Sequence, residues 1–167
     1  VCALLSKSVT CSLPVAILIC HWWGGEKIDR GIVLSLAPFF LLGLAFGLNT
    51  ARLEKLHVGA VGEDWQLSLV ERGLVAGRAL WFYLGKLVWP ADLVFNYARW
   101  KIDARAAWQY TFPATFILFV AVLWGLRRHI GRGPLAAVLF FAVTLVPALG
   151  FFDVYPFRFS FVADHFQ

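Results

Sequence analysis

Of the 167 residues, 60% are hydrophobic and only 15% charged, a composition with mean hydropathy +0.73 that excludes a protein whose only solvent is water. The net charge of +5 comes from basic residues scattered through loops and helix ends. They form no soluble basic and aromatic face, so nucleic acid is not an expected partner. The chain has no methionine, is already within an apolar run at Val1 and reaches Gln167 without a terminating motif, and it is expected to be a piece of a longer protein.

The first predicted element is an apolar stretch over residues 1–23, long enough to span a bilayer and lacking the basic start and cleavage site of a signal peptide. Cys2, Cys11 and Cys20 recur every nine residues. Successive members therefore point roughly 180° apart on one helix and form neither a disulfide nor a metal site there. Lys7 stands about 9 Å along this helix, where an ammonium either snorkels to the headgroups or meets an anion such as a lipid phosphate. A charge-balanced loop, with Glu26 and Asp29 against Lys27 and Arg30, leads to a second span over 31–48. Gly43 and Gly47 there, like Gly73 and Gly77 further on, make small-xxx-small pairs suited to close helix packing.

Residues 69–89 differ because Arg72, Arg78 and Lys86 interrupt the apolar pattern. Ser68 and Glu71 have the spacing of a capping box, and Pro90 marks the far end. At about 100° per residue, Arg72, Arg78, Phe82, Tyr83, Lys86 and Trp89 share one half of the wheel, and Leu74, Ala76, Leu80, Leu84, Leu87 and Val88 the other. The pattern predicts a basic, aromatic amphipathic helix that lies in the interface or lines a polar cavity. Two further spans follow, over 109–126 and 135–152. The expected fold class is therefore all-α, a polytopic membrane helical bundle of about four spans plus one amphipathic interfacial helix.

Arg127, Arg128 and Arg132 crowd the loop between the last two spans with no acidic residue among them, which predicts a cytoplasmic loop. If the amphipathic helix does not cross, parity puts 24–30 on that same side and gathers 49–71, 90–108 and 153–167 outside. If it does cross, the first two spans invert. The segment after the last span holds Tyr155, Arg158, Asp164 and His165, where a carboxylate beside an imidazole suits acid and base work and a guanidinium suits phosphate. Ordinary interface residues have the same appearance. Glu63, Asp64, Asp92 and Asp103 read as solvated loop charges without metal-site spacing. His57 and His129 read as loop histidines. No phosphate loop, catalytic triad ordering or Cys/His metal pattern appears.

Three stretches together resemble the transmembrane and tetratricopeptide-repeat O-mannosyltransferase family. Leu4-Leu5-Ser6-Lys7-Ser8-Val9-Thr10 is similar to the Leu-Ser-Lys motif that opens one of its membrane helices. The run from Gly77-Arg78-Ala79-Leu80-Trp81-Phe82-Tyr83-Leu84 through Trp89-Pro90 to Tyr97 resembles its Arg-x-Leu…Tyr-Leu…Pro segment, especially in bacterial relatives. Phe161-Val162-Ala163-Asp164-His165 stands where the family often has Val-Ala-Glu-Arg, with Asp164 and His165 in place of Glu and Arg.

The resemblance implies a membrane glycosyltransferase that moves a sugar from a polyprenyl-phosphate donor to a protein or other hydroxyl acceptor, on the outer face of a bacterial inner membrane. Its catalytic carboxylate would lie upstream of Val1, and its repeats would follow Gln167. Lys7, Arg78 and Arg158 are then the expected ligands of the donor phosphate, supported by Asp164, His165, Lys86 and Tyr83. The residues call for no metal, although Mg²⁺ or Mn²⁺ is compatible with such chemistry. Two rival readings stand beside it, a transporter or lipid-handling protein that binds an anion without chemistry, and a non-catalytic membrane anchor for repeats. Inverted internal repeats would favour the transporter, and none is evident in the sequence.

Overall fold

The computed structural model describes residues 8–53, 67–152 and 155–164, and among these it is all-helical with no strand. Its α-helices are α1 (Leu13–Trp23), α2 (Arg30–Leu53), α3 (Leu69–Val88), α4 (Thr111–Leu126) and α5 (Gly133–Leu145). They fall into two compact units, one of Val1–Thr50 with Val120–Pro147, the other of Ala51–Phe119 with Ala148–Gln167.

In the first unit, the expectation of one helix over 1–23 is corrected for the described part. The α-helical ladder begins only at Leu13, behind a 3-10 turn at Ser8–Ser12. Pro14 has no N–H with which to close a bond one turn back, and in the first turn of a helix that loss costs least. Residues 1–7 lie outside the described residues, Lys7 and Cys2 among them, while Cys11 and Cys20 are free thiols. The last predicted span shifts as well. Its helix starts at Gly133, passes into a 3-10 turn at Val146–Ala148 and ends before Gly150, whose φ of 91° reverses the chain. Pro147 and Gly150 together account for the early stop. α1 and α5 pack on each other, and each carries buried small or aliphatic residues, Pro14 and Ala16 on one and Leu135, Ala136 and Leu145 on the other.

Two helical stretches, Arg30–Thr50 and Ala107–Leu126, are long and apolar enough to cross a membrane, at 21 and 20 residues. At 1.5 Å per residue each covers about 30 Å, the thickness of a hydrocarbon core. Only 11% of each apolar window is buried. In α2, Leu34, Leu41 and Leu44 are 70%, 69% and 61% exposed, the reverse of a helix in the core of a water-soluble protein. Thr10–Trp23 and Gly133–Ala148 are shorter apolar helices.

One end of this unit is marked by tryptophan and arginine. Trp22 stacks on Trp124 with centroids 6.3 Å apart, and Arg132 donates from Nη1 to the Trp22 carbonyl at 3.0 Å. The segments 24–30 and 127–132 thus begin from one end of the unit. Gly43 admits the backbone of Cys11, since a Cβ there would lie 3.3 Å from it, whereas Gly47 faces open space.

In the second unit, α3 begins with the predicted capping box. The Ser68 N–H donates to Glu71 Oε2 at 2.8 Å and the Glu71 N–H donates to Ser68 Oγ at 3.3 Å. Its basic and aromatic half is largely covered by other segments. Val75, Ala79 and Tyr83, on or beside that half, are fully buried, and Leu74, Ala76 and Leu80 on the opposite half are buried too. The cover comes from segments rich in rings. Phe157 and Phe161 form a core with Val75, flanked by Leu67, Trp100 and Ile102. Arg72 is consumed structurally, donating to the carbonyls of Gly150 at 3.0 Å and Phe151 at 3.3 Å beyond the end of α5.

Candidate anion site

Arg78, Phe82 and Lys86 are four residues apart along α3 and therefore form one stripe on it. The segment 97–112 closes over that stripe. It is fixed by Gln109, a buried amide that donates to the Lys101 carbonyl at 3.1 Å and accepts from the Asp103 N–H at 3.3 Å. The Trp81 indole donates to the Phe112 carbonyl at 3.0 Å, and Gly77 lets the Pro113 backbone approach so closely that a Cβ would sit 2.6 Å from its nitrogen. This anchoring brings Trp100, Trp108 and Phe112 around Arg78. Its guanidinium carbon lies 4.4, 6.0 and 5.6 Å from the three ring centroids.

Arg78 is half-buried, and among the described residues it has neither an ion pair nor a hydrogen bond. Burial pushes its pKa below the ordinary arginine value, yet a guanidinium stays charged at neutral pH. The rings supply cation–π attraction of about 0.5–2 kcal/mol but accept none of its five N–H donors in the plane of the guanidinium. A planar, ring-stacked cation with open donor edges is suited to a phosphate or carboxylate.

Further along the stripe, Phe82 packs edge-on to Tyr97 at 4.7 Å and to Trp100 at 6.1 Å. The Lys86 ammonium donates to the Ala91 carbonyl and, at 3.3 Å, to the Asp92 carbonyl, and lies 5.1 Å from the Tyr97 ring. It thereby pins the turn at Asp92, which holds a left-handed φ of 50°. The Tyr97 hydroxyl is 3.0 Å from both carboxylate oxygens of Asp164 and 3.1 Å from the Asp92 carbonyl. Having one proton, and with Lys86 serving that carbonyl, Tyr97 is placed to donate to the carboxylate. The fully buried Tyr83 hydroxyl donates to the Ala163 carbonyl at 3.3 Å and accepts from the Ala163 N–H at 3.1 Å. Burial foremost raises the Tyr83 pKa, to about 12, so it remains a neutral clamp.

Of the residues singled out in the sequence, Arg78, Tyr83, Lys86 and Asp164 are joined through α3 and its covering segments. Arg158 ends the 3-10 turn Tyr155–Arg158, exposed, in the same unit. Lys7 and His165 lie outside the described residues, as do Glu63, Asp64 and His57. Asp103 accepts from the Arg105 N–H at 2.8 Å and so shapes its own loop. Among the described residues no three His, Cys, Asp or Glu side chains gather as a metal site needs. Trp100, Trp108 and Phe112, the rings that hold Arg78, were not marked by motif or spacing. Their signal is the density of aromatics over 95–112, unusual for a solvated loop.

No family model matches the chain, and no curated protein or solved structure matches it either.

Proposed function

We propose that this chain is the donor-binding part of a membrane glycosyltransferase that takes a sugar from a polyprenyl-phosphate carrier and transfers it to an acceptor hydroxyl on the outer side. The observation that carries this reading is the half-buried Arg78 among three rings, with open donors and no carboxylate partner among the described residues. Charge grows on the phosphate as it leaves the anomeric carbon, and a fixed cation in a site of low polarity stabilises that charge more than one in water. Arg158 is a further phosphate ligand in this proposal, while Tyr83, Lys86 and Asp164 frame the site; Lys7 and His165, which the resemblance adds to the set, lie outside the described residues. The acceptor hydroxyl would give its proton to a carboxylate, which the family resemblance does not assign to any residue of this sequence. The resemblance of three sequence stretches to the O-mannosyltransferase family supports the same reading.

The proposal includes four membrane spans, contributed by residues 1–23, α2, α4 and α5, with both ends of α3 on the outer side. The common end of 24–30 and 127–132 supports that parity, because it lets α2 leave the cytoplasmic side and α4 return to it. His129→Cys, in the exposed arginine loop, is expected to be protected from an impermeant thiol reagent in sealed cells lacking the native cysteines, and Arg105→Cys to be labelled. Labelling of His129→Cys with protection of Arg105→Cys would reverse the orientation, and labelling both would place them on one side.

Activity tests the reaction itself. Full-length protein in membranes is expected to transfer labelled sugar from a polyprenyl-phosphate donor, and Lys7→Ala to lower the rate at least about tenfold, or 1.4 kcal/mol. Binding of the donor without transfer would favour the lipid-handling alternative.

A further inference from the structure

The geometry points to a second lipid site, a surface at the Trp22–Trp124 end of the first unit that binds the headgroups of anionic phospholipids. The two indoles stack nearly parallel, 4° apart. Arg127 lies over Trp124 at 4.0 Å, and Arg132 over Trp22 at 5.5 Å while also donating to the Trp22 carbonyl. Gly131, at φ 83°, supplies the reversal that returns Arg132 to the ring.

Three features make this more than a scatter of surface charge. The two stacked guanidiniums are held before any ligand arrives, so less side-chain entropy is lost on binding. No acid occurs within 127–132, and in the neighbouring loop Glu26 and Asp29 are balanced by Lys27 and Arg30. The exposed apolar surface of α4 ends directly at the cluster, with Trp124 half exposed. Indoles at the boundary of an apolar surface, beside uncompensated arginines, match the level at which lipid headgroups sit. Charge selects an anionic headgroup over a zwitterionic one, and continuity with the apolar helix selects a lipid over a soluble anion. The site is independent of the sugar-donor proposal, since it uses none of the residues named there.

The experiment is lipid retention by the purified full-length protein, delipidated in a neutral detergent and then offered equal phosphatidylglycerol and phosphatidylcholine. Wild type is expected to retain phosphatidylglycerol at least about threefold over phosphatidylcholine, and R127Q/R132Q to lose most of that preference. Arg128→Gln, an exposed change that leaves both stacks in place, is expected to lower it partially and serves if the double variant does not fold. Lys101→Gln with Arg105→Gln removes the same charge from the other unit and is expected to change nothing. Equal loss in that control, or full preference in both R127Q/R132Q and Arg128→Gln, overturns the site. Displacement of phosphatidylglycerol by millimolar inorganic phosphate at constant ionic strength would show a soluble-anion site and overturn the lipid assignment.

Discussion

Gly77→Ala is expected to destabilise the protein by about 1–3 kcal/mol, the cost of overpacking a close contact, while Gly73→Ala one turn earlier is neutral or stabilising. A Cβ at position 77 would lie 2.6 Å from the Pro113 nitrogen and 2.7 Å from its Cα. Those are backbone atoms, tied to a helix start and to the Trp81–Phe112 hydrogen bond, so neither side yields cheaply. At position 73 nothing lies within 4 Å, and alanine gains up to about 1 kcal/mol in helix propensity. Thermal unfolding in detergent checks the pair, and the opposite signs separate a specific contact from a general dislike of substitution in α3. Because Gly77 adjoins Arg78, the clash also shifts the guanidinium against Phe112, and anion binding should weaken along with stability.

Replacing Arg78 carries the largest expected effect on activity. Arg78→Ala removes the cation and its stacking together and is expected to lower sugar transfer by about a hundredfold, on the order of 2.7 kcal/mol of transition-state stabilisation. Arg78→Lys retains the charge but loses the planar donor fork and its fit among Trp100, Trp108 and Phe112, so a loss of about tenfold is expected. Lys101→Gln, on the same covering segment but with an exposed side chain, should transfer at the wild-type rate. Rates are compared at equal amounts of folded protein, and an Arg78→Ala enzyme with normal kcat/KM would contradict the assignment.

Much of the helical order was legible because its causes are local. Ser68 and Glu71 announce the start of α3 and Pro90 its end, and long apolar runs announce α2 and α4. The ends of the first and last predicted spans were misread for an equally local reason. Pro14 sits in the first turn of its helix, and Pro147 with the positive-φ Gly150 closes the last one, whereas Pro38 is carried inside α2; hydropathy alone treats each apolar run as one helix.

Which half of α3 would be covered was not legible. A helical wheel records the polarity of a face but not what packs on it, and here the rings of Trp100, Phe157 and Phe161 make the basic face a packing face. Arg78 itself stood out as a cation in an apolar run. Its aromatic surroundings come from residues more than twenty positions away, brought in by the buried Gln109 and the Gly77–Pro113 contact. Arg72 had the same sequence signature and turned out to hold the chain at Gly150, so charge within an apolar helix does not by itself distinguish a ligand-binding arginine from a structural one.

The central claim, that Arg78 receives the phosphate of a polyprenyl carrier, is tested most directly by equilibrium binding to purified full-length protein. Polyprenyl phosphate and the corresponding dephosphorylated polyprenol are compared on wild type and Arg78→Gln. Wild type should bind the phosphate at least about tenfold more tightly than the alcohol, a difference of 1.4 kcal/mol, and Arg78→Gln should abolish most of that difference while leaving polyprenol affinity unchanged. Equal affinity of wild type for the two lipids, or an undiminished preference for phosphate in Arg78→Gln, would contradict it.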